Sequence, residues 1–434
     1  MHSILCALLL LASLAPAQSP PRVVEAFREF GRIGAQPLWP GFDPRTIPVE
    51  VFDGTDTYLF HHPKPPEGFR PLEGVAGVFV FPGQHDTVRA NTGTEVNGVP
   101  TATADISKGQ GSPAEVASLF IHESFHVFQG KAHPKWGGNE MELFTYPLDD
   151  ADQLWLRRLE TMALVHALQA KSDSDSHHWV EAALGYRQER FAKLPAGAVG
   201  YERGSELKEG LAQYVEYLSI QKPAALSPED FPAGIVRQRA YATGQALALL
   251  LDRFGGEWKT QLDSGTSLDE LLRARLGPGK KPYAIPKKEA AAQLLRAQSE
   301  VEQLVAGRAK RKQDFLAAPG WRLEFMAGKE PLWPQGFDPW NLSVLSSREV
   351  LHTRWLKLGN GSGAVEVLNH ASMTQGAGAH PIFNGIRWLR VTGLPEPKVT
   401  EADGKVTIEA GGIKGSFAAA TIERSDHAIL IKLP

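Results

Sequence analysis

The chain of 434 residues is almost without cysteine: the only one, Cys6, lies in the apolar run ILCALLLLASL (Ile4–Leu14). That run is too short to span a bilayer. It is followed by Ala15 and Ala17, the small residues of a leader-cleavage site, although Met1, His2 and Ser3 supply no basic residue before it. Residues 1–17 are therefore expected to be a signal peptide cut near Ala17, which would place the protein in the periplasm or the medium. A mature chain so defined has no thiol, which excludes disulfides and thiolate zinc ligands and leaves His, Asp and Glu as the available metal donors. Long hydrophobic runs are also lacking, and no later segment is apolar enough to cross a membrane. Charge of one sign is missing too, with 46 Lys and Arg against 49 Asp and Glu and a net charge of −3. Binding to nucleic acid or to an anionic lipid surface would need a basic face. The one basic run, RAKRK (Arg308–Lys312), is expected to be the solvated side of a helix.

What is present divides the chain by texture. Residues 18–105 are rich in Pro and Gly, with short β-type runs at IPVEVF, TYLF, GVFVF and TATADI. Residues 106–319 turn helical, in DQLWLRRLETMALVHALQA, SELKEGLAQYVEYLSI, IVRQRAYATGQALALLLDRF and a polar stretch from about Lys287 to Ala317. Residues 320–434 are β-like again, with EVLHTRWLKL, AVEVLN, IRWLRVT, KVTIEA and HAILIKL set between Gly and Asn-Gly turns. The expected fold class is α+β: a β-containing N-terminal part, a mostly helical part, and a C-terminal all-β domain built as a sandwich or small barrel. GAQPLWPGFDP (Gly34–Pro44) recurs as GKEPLWPQGFDP (Gly328–Pro339). The repeat reads as a duplicated structural corner with a packed Trp, ahead of the alternative that Trp39 and Trp333 mark two ligand-binding surfaces.

The densest chemistry lies in FIHESFHVFQ (Phe120–Gln129), which contains H-E-x-x-H at His122, Glu123 and His126. Ser112-Pro113-Ala114-Glu115 is a capping box with Pro at the first helical position, and Gly130 is the expected stop. On the helix between them His122 and His126 lie one turn apart, about 40° around the axis, so both imidazoles can meet one ion. Glu123 is offset by roughly 100°, placed to reach a water beside the ion and act as general base. The motif stands among apolar residues, and burying two imidazoles and a carboxylate is costly unless a cation pairs with them. The metzincin continuation fails, because Gln129 and Ala132 occupy the positions that need Gly and His.

A third ligand must come from elsewhere. The segment ELKEGLAQYVEY (Glu206–Tyr217) resembles the gluzincin zinc peptidases, in particular their alanyl- and glycyl-aminopeptidase branch. There the third zinc ligand is the Glu of an E-G-x-A/T-x-Y segment on a second helix. The matching residue is Glu209, followed by Gly210, Ala212 and Tyr214. A carboxylate on a facing helix would complete an open three-ligand site, and Gly210 would let the two helices approach. Glu206 and Glu160 stand as alternative ligands. In QRAYATGQ, Tyr241 and Gly244 match the segment that carries the transition-state tyrosine of those families, with Thr243 where Lys is usual. His166, Tyr201 and Tyr214 are possible substitutes for that tyrosine. The resemblance covers roughly Thr94 to Gly256, and the stretch from His126 to Glu209 is far longer than the family's, as if a helical hairpin were inserted.

The resemblance implies a zincin-type peptidase with one Zn2+ held by His122, His126 and Glu209, Glu123 as general base and Tyr241 as an oxyanion partner, acting on a peptide or protein. The amine-anchoring G-x-M-E-N segment of the aminopeptidases is met only by Gly93, Glu95 and Asn97 in a different register. Aminopeptidase and endopeptidase both stay open, and TATADI is expected to be the edge strand along which a substrate backbone lies. The alternatives are a zinc hydrolase of other amides and an exported binding protein with an inactive zinc site. The oligomeric state is not legible in the sequence.

Overall fold

Short runs of β-branched and aromatic residues build the first sheet. A computed structural model describes residues 21–109, 111–277 and 279–434; the expected leader with Cys6 lies outside them. The chain is mixed α+β, and its described residues divide into two compact units, 21–135 with 211–224, and 136–210 with 225–434. No helix among the described residues is long and apolar enough to cross a membrane.

In the first unit, α1 (Arg22–Ile33) precedes strands β1 (Val49–Phe52), β2 (Asp56–Phe60), β3 (Arg70–Pro71), β4 (Val78–Pro82), β5 (Thr92–Val96) and β6 (Val99–Asp105). They form one sheet in the order β3-β4-β2-β1-β6-β5. The TATADI strand β6 is therefore internal, parallel to β1 and antiparallel to β5. The edge position belongs to β5, which corrects the expectation for TATADI. The sequence could not separate the two, because Asn97-Gly98 makes a tight hairpin between them, both residues having positive φ. Val49 and Val51 pair with Ala102 and Ala104 and all four are buried. Gly93 is the register partner of Ala102 on that face. A Cβ on Gly93 would come 3.0 Å from a Val127 methyl, so this is the face turned to the helix α2 (Pro113–Ala132). On the opposite face, Thr57 and Thr103 bond the backbone of Gly83, Ala90 and Thr92, pinning the loop that leads into β5.

Helix α2 begins at the expected capping box of Ser112 and Glu115 but runs through Gly130 to Ala132, where His133 caps it. A helix-interior Gly costs only about 1 kcal/mol, which the packing of α2 on α1, β6 and the returning helix α6 (Leu211–Ile220) outweighs. The first LWPGFDP copy serves that packing: Trp39 is buried and lies edge-on to Phe125 and Tyr214, and Phe42 touches Phe125 and Phe128.

The second unit opens with the hairpin of α3 (Ala151–Gln169) and α4 (Asp173–Phe191), followed by α5 (Ala196–Ser205), α7 (Arg237–Arg253), α8 (Leu268–Leu276) and α9 (Lys287–Leu316). The basic run in α9 is answered by acids: Arg308 pairs with Asp149, Lys310 with Asp314 and Lys312 with Glu349. Strands β7 (Trp321–Met326) to β19 (Ala428–Lys432) follow. They make two sheets, one ordered β18 (Thr421–Ser425), β19, β7, β14 (Ile386–Leu394), β13 (Ser372–Gly376), β10 (Glu349–His352), β9 (Leu342–Val344), and the other β15 (Lys398–Ala402), β16 (Lys405–Ala410), β17 (Ile413–Ala418), β12 (Gly363–Leu368), β11 (Trp355–Asn360), β8 (Trp333–Phe337). One apolar cluster is shared by both, with Phe325, Leu389 and Ile431 from the first and Leu358, Val365, Ile408 and Phe417 from the second. This is a sandwich. The second repeat copy becomes β8 (Trp333–Phe337), with Trp333 44% exposed, so the two copies share a sequence and not a conformation.

Candidate metal centre

The centre is built on α2 and on the long helical run that contains α6. From Ala196 the chain is helical to Ile220, but residues Glu206–Gly210 form a π-turn between α5 and α6. Such i→i+5 turns insert a residue into a helix and change the side chains it presents; they are frequent at functional sites. Glu209 is the penultimate residue of that turn, two residues before the start of α6, which packs on α2.

His122, His126 and Glu209 each offer one donor atom, and the three atoms lie within 4.8 Å of one another. Among the described residues this is the only group of three or more His, Cys, Asp or Glu donors so placed. His122 and Glu209 are buried and His126 half-buried. Each imidazole commits its Nδ1. That of His122 lies 3.0 Å from Glu216 Oε2, and that of His126 lies 2.8 Å from Gln129 Oε1. An acceptor at Nδ1 fixes the proton there and turns the Nε2 lone pair toward a metal. Glu216 is itself steadied by Gln213, whose amide donates to Oε2 at 2.9 Å. On the third donor, Arg237 of α7 donates from Nη2 to Glu209 Oε1 at 2.8 Å.

The donor set fits a zinc ion. Two imidazoles and one carboxylate are donor types, and a donor number, that an open zinc site uses. Bonds of about 2.1 Å put tetrahedral donors roughly 3.4 Å apart, so side-chain adjustments on the scale of one rotamer close the group. Glu123 and Glu209 are both buried, and burying carboxylates is costly unless a cation pairs with them.

The alternative ligands have other partners. Glu160, Glu202 and Glu206 are buried with Arg187, Arg190 and Arg239 in one ion-pair network. Arg187 grips Glu206 at 2.6 and 2.8 Å and Glu160 at 2.7 Å. Burial pushes the Glu160 carboxyl up, but Arg187, Arg239 and Arg190 outweigh it and hold that carboxyl well below the usual carboxylate range. For Glu206 burial wins over Arg187, and its carboxyl is raised. Gly210 does permit a close approach, but to a different helix from the one expected. A Cβ there would come 2.5 Å from Gly244 Cα and 2.8 Å from Ala240 O, so the turn is pressed onto α7.

Tyr241, on α7 one turn after Arg237, is half-buried with that guanidinium 5.9 Å from its ring centre. Among its substitutes, Tyr201 is buried with its hydroxyl 3.2 Å from Glu140, Tyr214 packs on Trp39, and His166 stacks on Trp179 at 4.3 Å. Asn97 is spent on the hairpin turn, its amide donating to Lys64 O. Sequence reasoning missed Glu216, Gln129 and Arg237. The first two carried a signal, since Gln129 is three residues past His126 and Glu216 two helical turns past Glu209. Arg237 carried none.

No protein-family model, curated protein or solved structure matches this chain.

Proposed function

We propose that the chain is an exported zinc-dependent peptidase of the gluzincin type, cleaving peptide bonds in peptides or proteins. One observation carries the reading: His122, His126 and Glu209 present three donor atoms within 4.8 Å, with the Nδ1 of each histidine anchored on an acceptor. When bound, zinc supplies Lewis acidity, activating water near neutral pH and polarising the scissile carbonyl. His122 and His126 hold their orientation through Glu216 and Gln129. Glu123, 4% exposed on the same helix, takes the proton of the attacking water and returns it to the leaving amine nitrogen. We assign Tyr241 the role of donor to the developing oxyanion. The substrate backbone adds to the edge strand β5, which Gly93 brings against α2 at Val127, the residue after His126.

The test is metal analysis of the purified protein joined to digestion of a peptide library. One zinc per chain is expected, with cleavage that stops on chelation and returns with zinc. Glu123→Gln is expected to keep the zinc and lower turnover by at least about a hundredfold. A zinc-free protein, or a zinc-loaded one that cleaves no peptide, overturns the reading. Pairing each cut peptide with its acetylated form assigns exo- or endo-cleavage.

A further inference from the structure

The C-terminal sandwich has no part in the reading above, yet the second unit ties it to Glu209 by an unbroken series of contacts. The series begins in the sandwich loop around His380. There Nδ1 of His380 accepts from the backbone N–H of Ile382 and of Phe383, both at 3.0 Å. The proton of the neutral ring is thereby fixed on Nε2, which donates to Met141 O at 3.3 Å. Beside it the ring of Phe144 meets His380 at 5.5 Å, Phe337 at 6.3 Å and Phe383 at 6.3 Å. Met141 and Phe144 belong to the short 3-10 turn Glu140–Phe144, so the sandwich grips that turn by one hydrogen bond and three aromatic contacts.

The turn ends a strap laid directly on the helix that leads to Glu209. Side chains at Gly138 or Gly204 would collide with backbone: a Cβ on Gly138 would come 2.6 Å from Tyr201 O, and one on Gly204 would overlap Gly137. At the first residue of the turn, Glu140 accepts from the Tyr201 hydroxyl at 3.2 Å and forms an ion pair with Arg237 Nε at 3.3 Å. The same Arg237 donates to Glu209 Oε1. A long, rotamer-rich arginine holds a carboxylate at one angle only if its own head group is fixed. Here Glu140 supplies the second point.

The geometry points to the sandwich as a positioning device for the metal ligand Glu209, acting through Phe144, Glu140 and Arg237. The inference rests on the zinc reading of the site. Phe144 and Glu140 are positioning residues. Their effect is exerted on the orientation of one carboxylate, in the way that outer partners of metal ligands commonly change affinity by about 10–100-fold.

The experiment uses the full chain and three variants, Phe144→Ala, Phe144→Leu and Glu140→Gln. Zinc affinity is measured by competition with a chromophoric chelator, and the ligand field by the visible spectrum of the cobalt(II)-substituted protein. Phe144→Ala and Glu140→Gln are expected to bind zinc about tenfold more weakly and to alter the cobalt bands, while Phe144→Leu recovers most of both. Wild-type affinity and spectrum in the first two variants overturn the inference. So does a lowered melting temperature with unchanged cobalt bands, which would make Phe144 a packing residue only. Wild-type protein that takes up neither metal overturns instead the reading of the site on which the inference stands.

Discussion

Each donor of the centre is held by a partner of a different kind: a carboxylate on His122, an amide on His126, a guanidinium on Glu209. The carboxylate makes the His122 ring the more electron-rich donor, whereas Arg237 draws charge from Glu209. Glu209→Ala removes a proposed ligand and takes from Arg237 one of its two carboxylate partners, Glu140 being the other. Zinc retained after dialysis is expected to fall at least about a hundredfold in affinity. Glu206→Gln, whose side chain is already bound by Arg187 and Thr243, is expected to retain zinc while losing stability. Metal content of the two variants side by side is the measurement, and zinc loss in Glu206→Gln alone would transfer the ligand role. At this scale the pair on α2 was legible in the sequence, because a spacing of four residues is itself a statement about one helix face. The choice between Glu206 and Glu209 was not. Three residues apart, they fall on neighbouring positions of a helix, and what separates them is a π-turn and an arginine supplied by α4.

The element scale turns on the crossing of the π-turn with α7. Gly210 and Gly244 face each other there, and a Cβ on Gly244 would come 2.6 Å from Gly210 Cα and 2.7 Å from Glu206 O. Those atoms are backbone and cannot rotate away. Gly244→Ala is therefore expected to push the two helices apart, costing roughly 1–3 kcal/mol of stability as overpacking does. It should also weaken zinc binding, since Arg237 and the turn carrying Glu209 would separate. Thermal melting and a zinc titration of the same preparation check both, and an unshifted melting temperature would contradict the packing argument. The helices were legible individually: α2, α3 and α7 lie where their apolar periodicity puts them, α9 fills the polar helical stretch from Lys287, and the Ser112 capping box starts α2 as expected. Their partners were not. Gly210 announced a close approach, but a glycine names no neighbour, and its neighbour proved to be α7.

At the scale of the whole molecule, the C-terminal strands were legible and their order was not. Strand β7 lies between β14 and β19, the latter a parallel partner about a hundred residues away, a pairing that no local pattern encodes. The sandwich also buries a titratable group that no sequence pattern singles out. His352, on β10 (Glu349–His352), is 1% exposed, with Nε2 3.2 Å from the Thr374 hydroxyl and no hydrogen-bond partner at Nδ1 among the described residues. Burial alone lowers its pKa to about 4. An unfolded histidine takes up its proton near pH 6.5, so between these values the unfolded chain binds more protons than the folded one, and stability falls as the pH falls. The loss begins near pH 6.5 and reaches about 2 kcal/mol by pH 5; below about pH 4 both states are protonated and the contribution levels off. Other buried carboxylates also make stability depend on pH, so the comparison must be with a variant that cannot titrate at this position. His352→Gln is expected to be less stable than wild type at pH 7, because the site is packed around an imidazole, yet to lose less stability between pH 7 and pH 5. Denaturant midpoints of both proteins at the two pH values give the difference, and parallel losses would mean that His352 is protonated in the folded sandwich without penalty.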